Sequence, residues 1–358
     1  MVRLTPATPP IGGRYHIKKY IGAGGMQRVY EAEDTLFHRS VALKQPKDDA
    51  GLRRFKSSAV ISARINHANV AKTLDYVEEE GTSYLIEELV LGDDLGTFFP
   101  KRIPLLPPSA VARVFHQLAR GLAASHDAGV MHRDLKPSNI MIVGGHRLAG
   151  VKITDFGIAK MAEAEIGEWA TEGGGTTSKT VLGAIPYMAP ESITDFKSAT
   201  KSSDIWSIAA IAYELLAGHQ PFGKGLVSVA AILKAEPPED PRFISQVQFR
   251  TLGNDLMNII KSCLVLDQSA RPSADQLTAL LETLCYSVDE YETGSVSRLH
   301  TRNIGFIVAD EGNDVMYHTD SFYGPSQPKV GDRIWFARHP GSGNDRAFPL
   351  VKMPIPSV

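Results

Sequence analysis

Between Tyr15 and Glu88 apolar and polar residues alternate in short runs, the two-residue period of strands with one buried face. Tyr15–Ile21, Arg28–Ala32, Ser40–Gln45, Ala71–Glu78 and Ser83–Glu88 are expected as strands, with Leu52–Ile65 as one helix among them. From about Pro107 the period lengthens. Val111, Val114, Phe115, Leu118 and Leu122 recur at helical spacing, so a helix is expected to run through Ala128 with Ser109 as its cap. Further helices are expected over Asp204–Ala217, Leu252–Leu264 and Ser273–Tyr286. After about Asp289 alternation returns, punctuated by Gly and Pro. Residues 1–13, rich in Pro, Thr and Gly, read as an irregular arm. The pattern is α+β: a small β-rich unit, a larger helical unit and a small all-β unit at the C-terminal end.

Composition narrows the picture. A chain of 358 residues with 43% hydrophobic content can bury a large core across about two domains. A net charge of −2 gives no bulk attraction to nucleic acid or to an anionic membrane. Cys263 and Cys285 cannot build a disulfide framework and read as buried thiols in helices of a reducing compartment. No basic, then apolar, then small-residue pattern opens the chain, so no secretory signal is expected. The apolar stretch Ile205–Gly218 is too short to span a bilayer and contains Glu214, so it reads as a buried core helix. The eleven histidines form no ligand-spaced cluster with cysteine, which argues against a metalloenzyme.

The chemistry is concentrated in three segments. His132-Arg133-Asp134-Leu135-Lys136-Pro137-Ser138-Asn139 is followed by Asp155-Phe156-Gly157 and then by Ala189-Pro190-Glu191. In that order they supply what phosphoryl transfer from ATP requires. Asp134 can accept the proton of an attacking hydroxyl, Lys136 can neutralise the transferring group, and Asn139 and Asp155 can each hold a magnesium ion on phosphate oxygens. Any one triplet is weak evidence; three in this order are strong.

Over roughly residues 10–287 the chain resembles the eukaryotic-like (Hanks-type) protein kinases, and Leu135-Lys136-Pro137-Ser138-Asn139 resembles their serine/threonine branch. The resemblance implies a bilobal kinase fold over residues 14–287, with the small lobe at about 14–90 and the large lobe at about 91–287. It implies ATP with Mg2+ or Mn2+ as cofactors and protein substrates bearing Ser or Thr; the sequence itself gives no reason to expect membrane contact. Many bacterial relatives carry a membrane anchor after the kinase; none follows here, so a cytoplasmic location is expected. Ile21-Gly22-Ala23-Gly24-Gly25-Met26-Gln27-Arg28-Val29-Tyr30 resembles the glycine-rich loop, where Gly22, Gly24 and Gly25 let the backbone approach phosphates. Lys44, in Val41-Ala42-Leu43-Lys44, would contact the α and β phosphates. Ile21, Val29, Ala42 and Met141 would sandwich the adenine, and Glu88 would lie in the hinge beside it. Glu191 should pair with Arg271. Asp204 should cap the core helix and hold the backbone around His132-Arg133, with Trp206 packed beneath.

Three departures bear on activity. Gln27 stands where the family has its third glycine. Ser58 stands where a helix glutamate pairs with the strand lysine, and no Asp or Glu lies between Gly51 and Leu74. Glu87, at the gatekeeper position behind the adenine, is therefore expected either to pair with Lys44 in its place or, after a one-residue slip, to face solvent. Ala184 replaces a threonine whose hydroxyl bridges the catalytic aspartate and lysine. In the polar segment Glu163–Thr180, the residues Thr176, Thr177, Ser178 and Thr180 are candidate phosphorylation sites, whose phosphate could pair with Arg133. The first reading is a serine/threonine kinase regulated through this segment. The alternative is a pseudokinase or nucleotide-binding scaffold.

Residues 294–358 resemble the cold-shock domain, a five-stranded barrel of the oligonucleotide-binding type. The resemblance rests on Arg302-Asn303-Ile304-Gly305-Phe306-Ile307, Asp314-Val315-Met316-Tyr317-His318 and Val330-Gly331-Asp332-Arg333-Ile334-Trp335-Phe336. Of the stacking positions it implies, Ile304, Phe306, Met316 and His318, only Phe306 and His318 carry rings, and Arg298 takes the place of a tryptophan. Seven Lys/Arg against six Asp/Glu from Gly294 to Val358 make a weak footprint for nucleic acid. Single-stranded RNA or DNA and protein contact, including a homodimer or docking on the kinase, both stay open as uses of this barrel.

Overall fold

The computed structural model of the chain describes residues 3–23, 27–47, 52–156 and 179–354. The N-terminal unit is a five-stranded antiparallel sheet of β1 (Tyr15–Ala23), β2 (Gln27–Asp34), β3 (Arg39–Pro46), β4 (Thr73–Glu79) and β5 (Thr82–Glu88), in the order β1-β2-β3-β5-β4. Helix α1 (Leu52–Ser62) packs on it through Phe55 and Ala59 against Leu85. The first residues are irregular but packed: Leu4 and Ile11 are buried in the same core as Tyr15, Tyr30 and Leu43. The expected arm is thus part of the small lobe, because its two apolar side chains find a partner in the sheet.

The larger unit contains α2 (Leu95–Lys101), α3 (Pro108–Asp127), the hairpin β6 (Ile140–Val143) and β7 (Gly150–Ile153), α4 (Lys179–Ala184) and α5 (Pro190–Thr194). It continues with α6 (Lys201–Ala217), α7 (Ser228–Lys234), α8 (Arg250–Cys263) and α9 (Ala274–Glu282). Two expected caps are corrected. Pro107 caps α3 and Pro108 opens it, so Ser109 already lies inside the helix and caps nothing; a leading proline has no N–H that needs satisfying. Helix α6 begins three residues before Asp204, and a reciprocal Thr200–Ser203 capping box closes its start. Cys263 is buried at the end of α8, but Cys285 lies beyond α9 and is exposed, so it is neither helical nor buried.

The C-terminal strands β8 (Tyr291–Leu299), β9 (Ile304–Ala309), β10 (Val315–His318), β11 (Arg333–His339) and β12 (Arg346–Lys352) close into a barrel. Around it the order is β8-β9-β10-β12-β11, with β10 and β12 parallel and the other pairs antiparallel. Strand β11 is buried on both faces. Ile334 and Phe336 fill the barrel, whereas Trp335 and Ala337 join the core of the helical unit.

That second face is a cemented seam. Trp335 stacks on Tyr291 at 3.7 Å and donates its indole N–H to the His146 carbonyl at 2.6 Å. Tyr323 donates its hydroxyl to the Leu216 carbonyl on α6 at 3.0 Å, and its ring meets Phe243 and Phe249 edge-on. Phe249 stacks on Phe348. Dry aromatic contacts with satisfied polar tips hold a barrel far more firmly than surface charges would. Trp335→Ala is therefore expected to cost ~3–5 kcal/mol in chemical denaturation, with barrel and helical unit unfolding in one transition. Two separated transitions would contradict a shared core.

Candidate active site

Both lobes line a cleft of about 1220 Å3. Its small-lobe wall carries Ile21, Gly22, Gln27, Val29, Ala42, Lys44 and Glu87. Its large-lobe wall carries Asp134, Lys136, Asn139, Met141 and Asp155. Residues from strands, loops and a hairpin thus meet as the sequence implied. Gly24 and Gly25, and Thr176, Thr177 and Ser178, lie outside the described residues; Thr180 falls in α4. Glu88 lines the cleft, but its carboxylate turns to Lys152 at 2.7 and 2.9 Å, and its backbone N–H donates to the Lys72 carbonyl at 2.8 Å. Leu89 and Val90 line the wall just beyond it, two hinge residues that the sequence analysis did not single out.

The catalytic loop is hung from one buried carboxylate. Asp204, on α6, accepts hydrogen bonds from the backbone N–H of His132 at 2.9 Å, that of Arg133 at 2.8 Å and His126 Nε2 at 2.9 Å. Three donors on one carboxylate satisfy its buried charge and fix the loop's turn. The turn needs fixing because Arg133 has a φ of 64°, a left-handed conformation costly for a residue with a Cβ. His132 then spans to the second motif, with Nε2 on the Thr154 carbonyl at 2.8 Å and its ring edge-on to Phe156. Asp155 is also left-handed, at φ 63°. Lys136 Nζ reaches both Asp134 oxygens, at 3.1 and 2.8 Å. With alanine at 184, lysine and aspartate meet directly and no hydroxyl stands between them.

Asn139 donates its Nδ2 to the Asp134 carbonyl at 2.7 Å, which leaves its amide oxygen for a cation. An amide oxygen and the Asp155 carboxylate are the hard oxygen donors that Mg2+ or Mn2+ takes, so the residues present fit such an ion.

At the back of the cleft Lys44, 5% exposed, lies between two carboxylates. It contacts Asp155 Oδ1 at 2.6 Å and is in direct contact with Glu87, itself 4% exposed. The solvent-facing alternative for Glu87 is thereby excluded. Burial works against the Lys44 ammonium, but Asp155 and then Glu87 outweigh it and hold it protonated beyond its usual range. Burial likewise opposes ionisation of Asp155, yet Lys44 and Gln27 keep its carboxyl below the usual value, whereas burial pushes Glu87 up. Gln27 supplies its Nε2 to the same Asp155 oxygen at 2.8 Å, while its Oε1 is buried without a hydrogen-bond partner. The side chain in the third glycine's place thus touches Asp155 across the cleft, a contact no local signal in the sequence announced.

Below the cleft, Glu191 and Arg271 form the expected pair, bidentate at 2.7 and 3.0 Å, with Ser203 also donating to Glu191 at 2.7 Å. Arg271 lies over the Trp206 ring, which also stacks on Phe222.

A family model described as the protein kinase domain matches residues 15–280, and the chain belongs to that family. It is 35% identical over 241 residues to the serine/threonine-protein kinase PrkC of Bacillus subtilis (strain 168), covering 65% of this chain and 35% of that protein. To the serine/threonine-protein kinase PknA of Mycobacterium tuberculosis (strain CDC 1551 / Oshkosh) it is 36% identical over 239 residues, 64% of this chain and 52% of that protein. To the probable serine/threonine-protein kinase PknB of Lactococcus lactis subsp. lactis (strain IL1403) it is 33% identical over 262 residues, 68% of this chain and 39% of that protein. The chain thus spans roughly a third to a half of the length of these relatives. Among the described residues no helix is long and apolar enough to cross a membrane.

The Glu191–Arg271 pair predicts a pH dependence. Burial raises the Glu191 pKa, but Arg271 and Ser203 overcome it, so the carboxyl is a stronger acid folded than unfolded. Its contribution is full above the ordinary glutamate value and is lost as pH falls through the folded value. Arg271→Met is expected to cost ~3–5 kcal/mol at pH 7, because it strands a buried carboxylate. That deficit should begin to narrow while the pH is still above the ordinary glutamate value of about 4.5, because burial raises the stranded carboxyl's pKa once Arg271 is gone. Urea titrations of both proteins across pH 4–7 read this directly.

Proposed function

We propose that the chain is a serine/threonine protein kinase that transfers the γ-phosphate of ATP to protein hydroxyls. The observation that carries this reading is the convergence of Lys44, Asp134, Lys136, Asn139 and Asp155 on one cleft wide enough for a nucleotide and a peptide segment. Lys44 would hold the α and β phosphates. Asn139 and Asp155 would hold Mg2+ or Mn2+, which supplies charge neutralisation on the phosphate oxygens. Asp134, already oriented by Lys136, would accept the proton of the incoming hydroxyl, and Lys136 would then face the charge that gathers on the transferring group. A scaffold that had lost catalysis would need none of these five in register, which weighs against the alternative motivated by Gln27, Ser58 and Ala184.

For the barrel we favour an oligonucleotide-binding type, on its strand order and on the disposition of its outer face. Ile304 and Phe306 on β9 pair with His318 and Met316 on β10, so the four candidate stacking positions share one side, opposite the barrel-filling residues. Arg298 lies over Phe306 at 4.4 Å, with His300 at its edge. This patch is separate from the aromatic seam, which uses Tyr291, Tyr323, Trp335 and Phe348.

Two measurements test these readings. Transfer of labelled γ-phosphate to a generic protein substrate is expected for the wild type, with Asp134→Asn lower in kcat by ~10²–10⁴ and Asp155→Ala inactive. Equal signals from all three would remove the kinase reading. Fluorescence anisotropy with short single-stranded RNA and DNA is expected to show salt-dependent binding that Phe306→Ala weakens about tenfold, from ~1–3 kcal/mol of lost stacking. Absence of binding at micromolar protein would reassign the barrel to protein contact.

A further inference from the structure

The lysine that meets the nucleotide phosphates has to be held from the side, because a long flexible ammonium otherwise samples many rotamers. In this chain helix α1 cannot hold it with a charge: no acidic residue occurs between Gly51 and Leu74. The carboxylate that does contact Lys44 comes from the neighbouring strand. On the β3–β5 ladder Ala42 lies opposite Glu87 and Lys44 opposite Leu85, so lysine and glutamate are diagonal neighbours on one face of one sheet. That face is the cleft wall, since Ala42, Lys44 and Glu87 all line it.

From this we infer that Glu87 is the positioning residue for Lys44, so that the phosphate-binding ammonium is oriented by the small-lobe sheet itself and not by the helix packed on it. The inference deepens the kinase reading and rests on it. Strands β3 and β5 are joined by a continuous hydrogen-bonded ladder and cannot part without breaking the sheet. Helix α1 meets β5 through the small apolar cluster of Phe55, Ala59 and Leu85, which includes neither Lys44 nor Glu87. Glu87 has a second effect. With two carboxylates against it, the Lys44 charge is shared between Glu87 and Asp155. Without Glu87 the whole ammonium falls to Asp155, whose oxygens a cation needs. The orientation of the lysine and the availability of the aspartate thus depend on one strand residue.

The test is a double-mutant cycle on the full chain, using Glu87→Gln, Lys44→Met and the double variant. Glutamine keeps the size and a hydrogen-bonding oxygen while removing the charge. We expect Glu87→Gln to lower kcat at least tenfold with a smaller rise in KM for ATP. It should also weaken binding of a non-hydrolysable ATP analogue with Mg2+ at least threefold. In the Lys44→Met background the added Glu87→Gln change should alter both quantities less than twofold, because its target is gone. Ser58→Ala should leave kcat within twofold of wild type. Thermal melts of each variant separate misfolding from mispositioning. If wild type transfers phosphate and Glu87→Gln matches it, the inference fails while the kinase reading stands. An undiminished loss in the Lys44→Met background also overturns it, since Glu87 then acts elsewhere. A wild type that transfers no phosphate would instead strike the kinase reading, and equal analogue affinity in wild type and Glu87→Gln would then remove the inference as well.

Discussion

A buried ammonium with a carboxylate on either side sets the geometry of the cleft. Lys44 and Glu87 belong to the small-lobe sheet and Asp155 to the large lobe, so their contact is also a contact between lobes. An ion taken out of water costs several kcal/mol unless it is paired and hydrogen-bonded. The arrangement therefore has a low-energy form only when the lobes, the strand register and the left-handed Asp155 are all in place. Gln27, the first residue of β2, completes it by reaching the same aspartate. The large-lobe half is stiffened independently by Asp204, whose three hydrogen bonds hold the left-handed turn at Arg133 and so the placement of Asp134.

What the sequence disclosed follows from where the information sits. Asp134, Lys136, Asn139 and Asp155 were legible because phosphoryl transfer restricts residue type and order within a short stretch. The Glu87–Lys44 pairing was legible as one of two alternatives, since a carboxylate on a buried strand needs a cation and the neighbouring helix offered no rival acid. The Gln27–Asp155 contact was not, because it joins positions 128 residues apart on opposite walls of the cleft. The proposed cap at Ser109 failed for a local reason: Pro107 and Pro108 had already taken the helix start. Asp204 was correctly tied to the catalytic loop but wrongly made a cap, because the helix begins a turn earlier at a serine–threonine box.

The barrel's seam was hidden for a different reason. In β11 both faces are apolar, and Ile334-Trp335-Phe336-Ala337 reads the same whether one face or two are buried. Only the fold shows Ile334 and Phe336 turned inward and Trp335 and Ala337 turned to the helical unit. The seam ties the barrel to the Leu216 end of α6, the helix that also carries Asp204. A continuous packed body therefore runs from the barrel through the core helix to the catalytic loop, while the half-open face at Phe306 and His318 points away from it.

The most direct measurement of the central claim is a crystal structure with a non-hydrolysable ATP analogue and Mg2+. Lys44 is expected to reach the phosphates while its ammonium stays against Glu87, with Asp155 and Asn139 on the metal. A structure in which Glu87 has turned away and Lys44 is held by a residue of α1, or in which the chain's own side chains fill the nucleotide space, would contradict it.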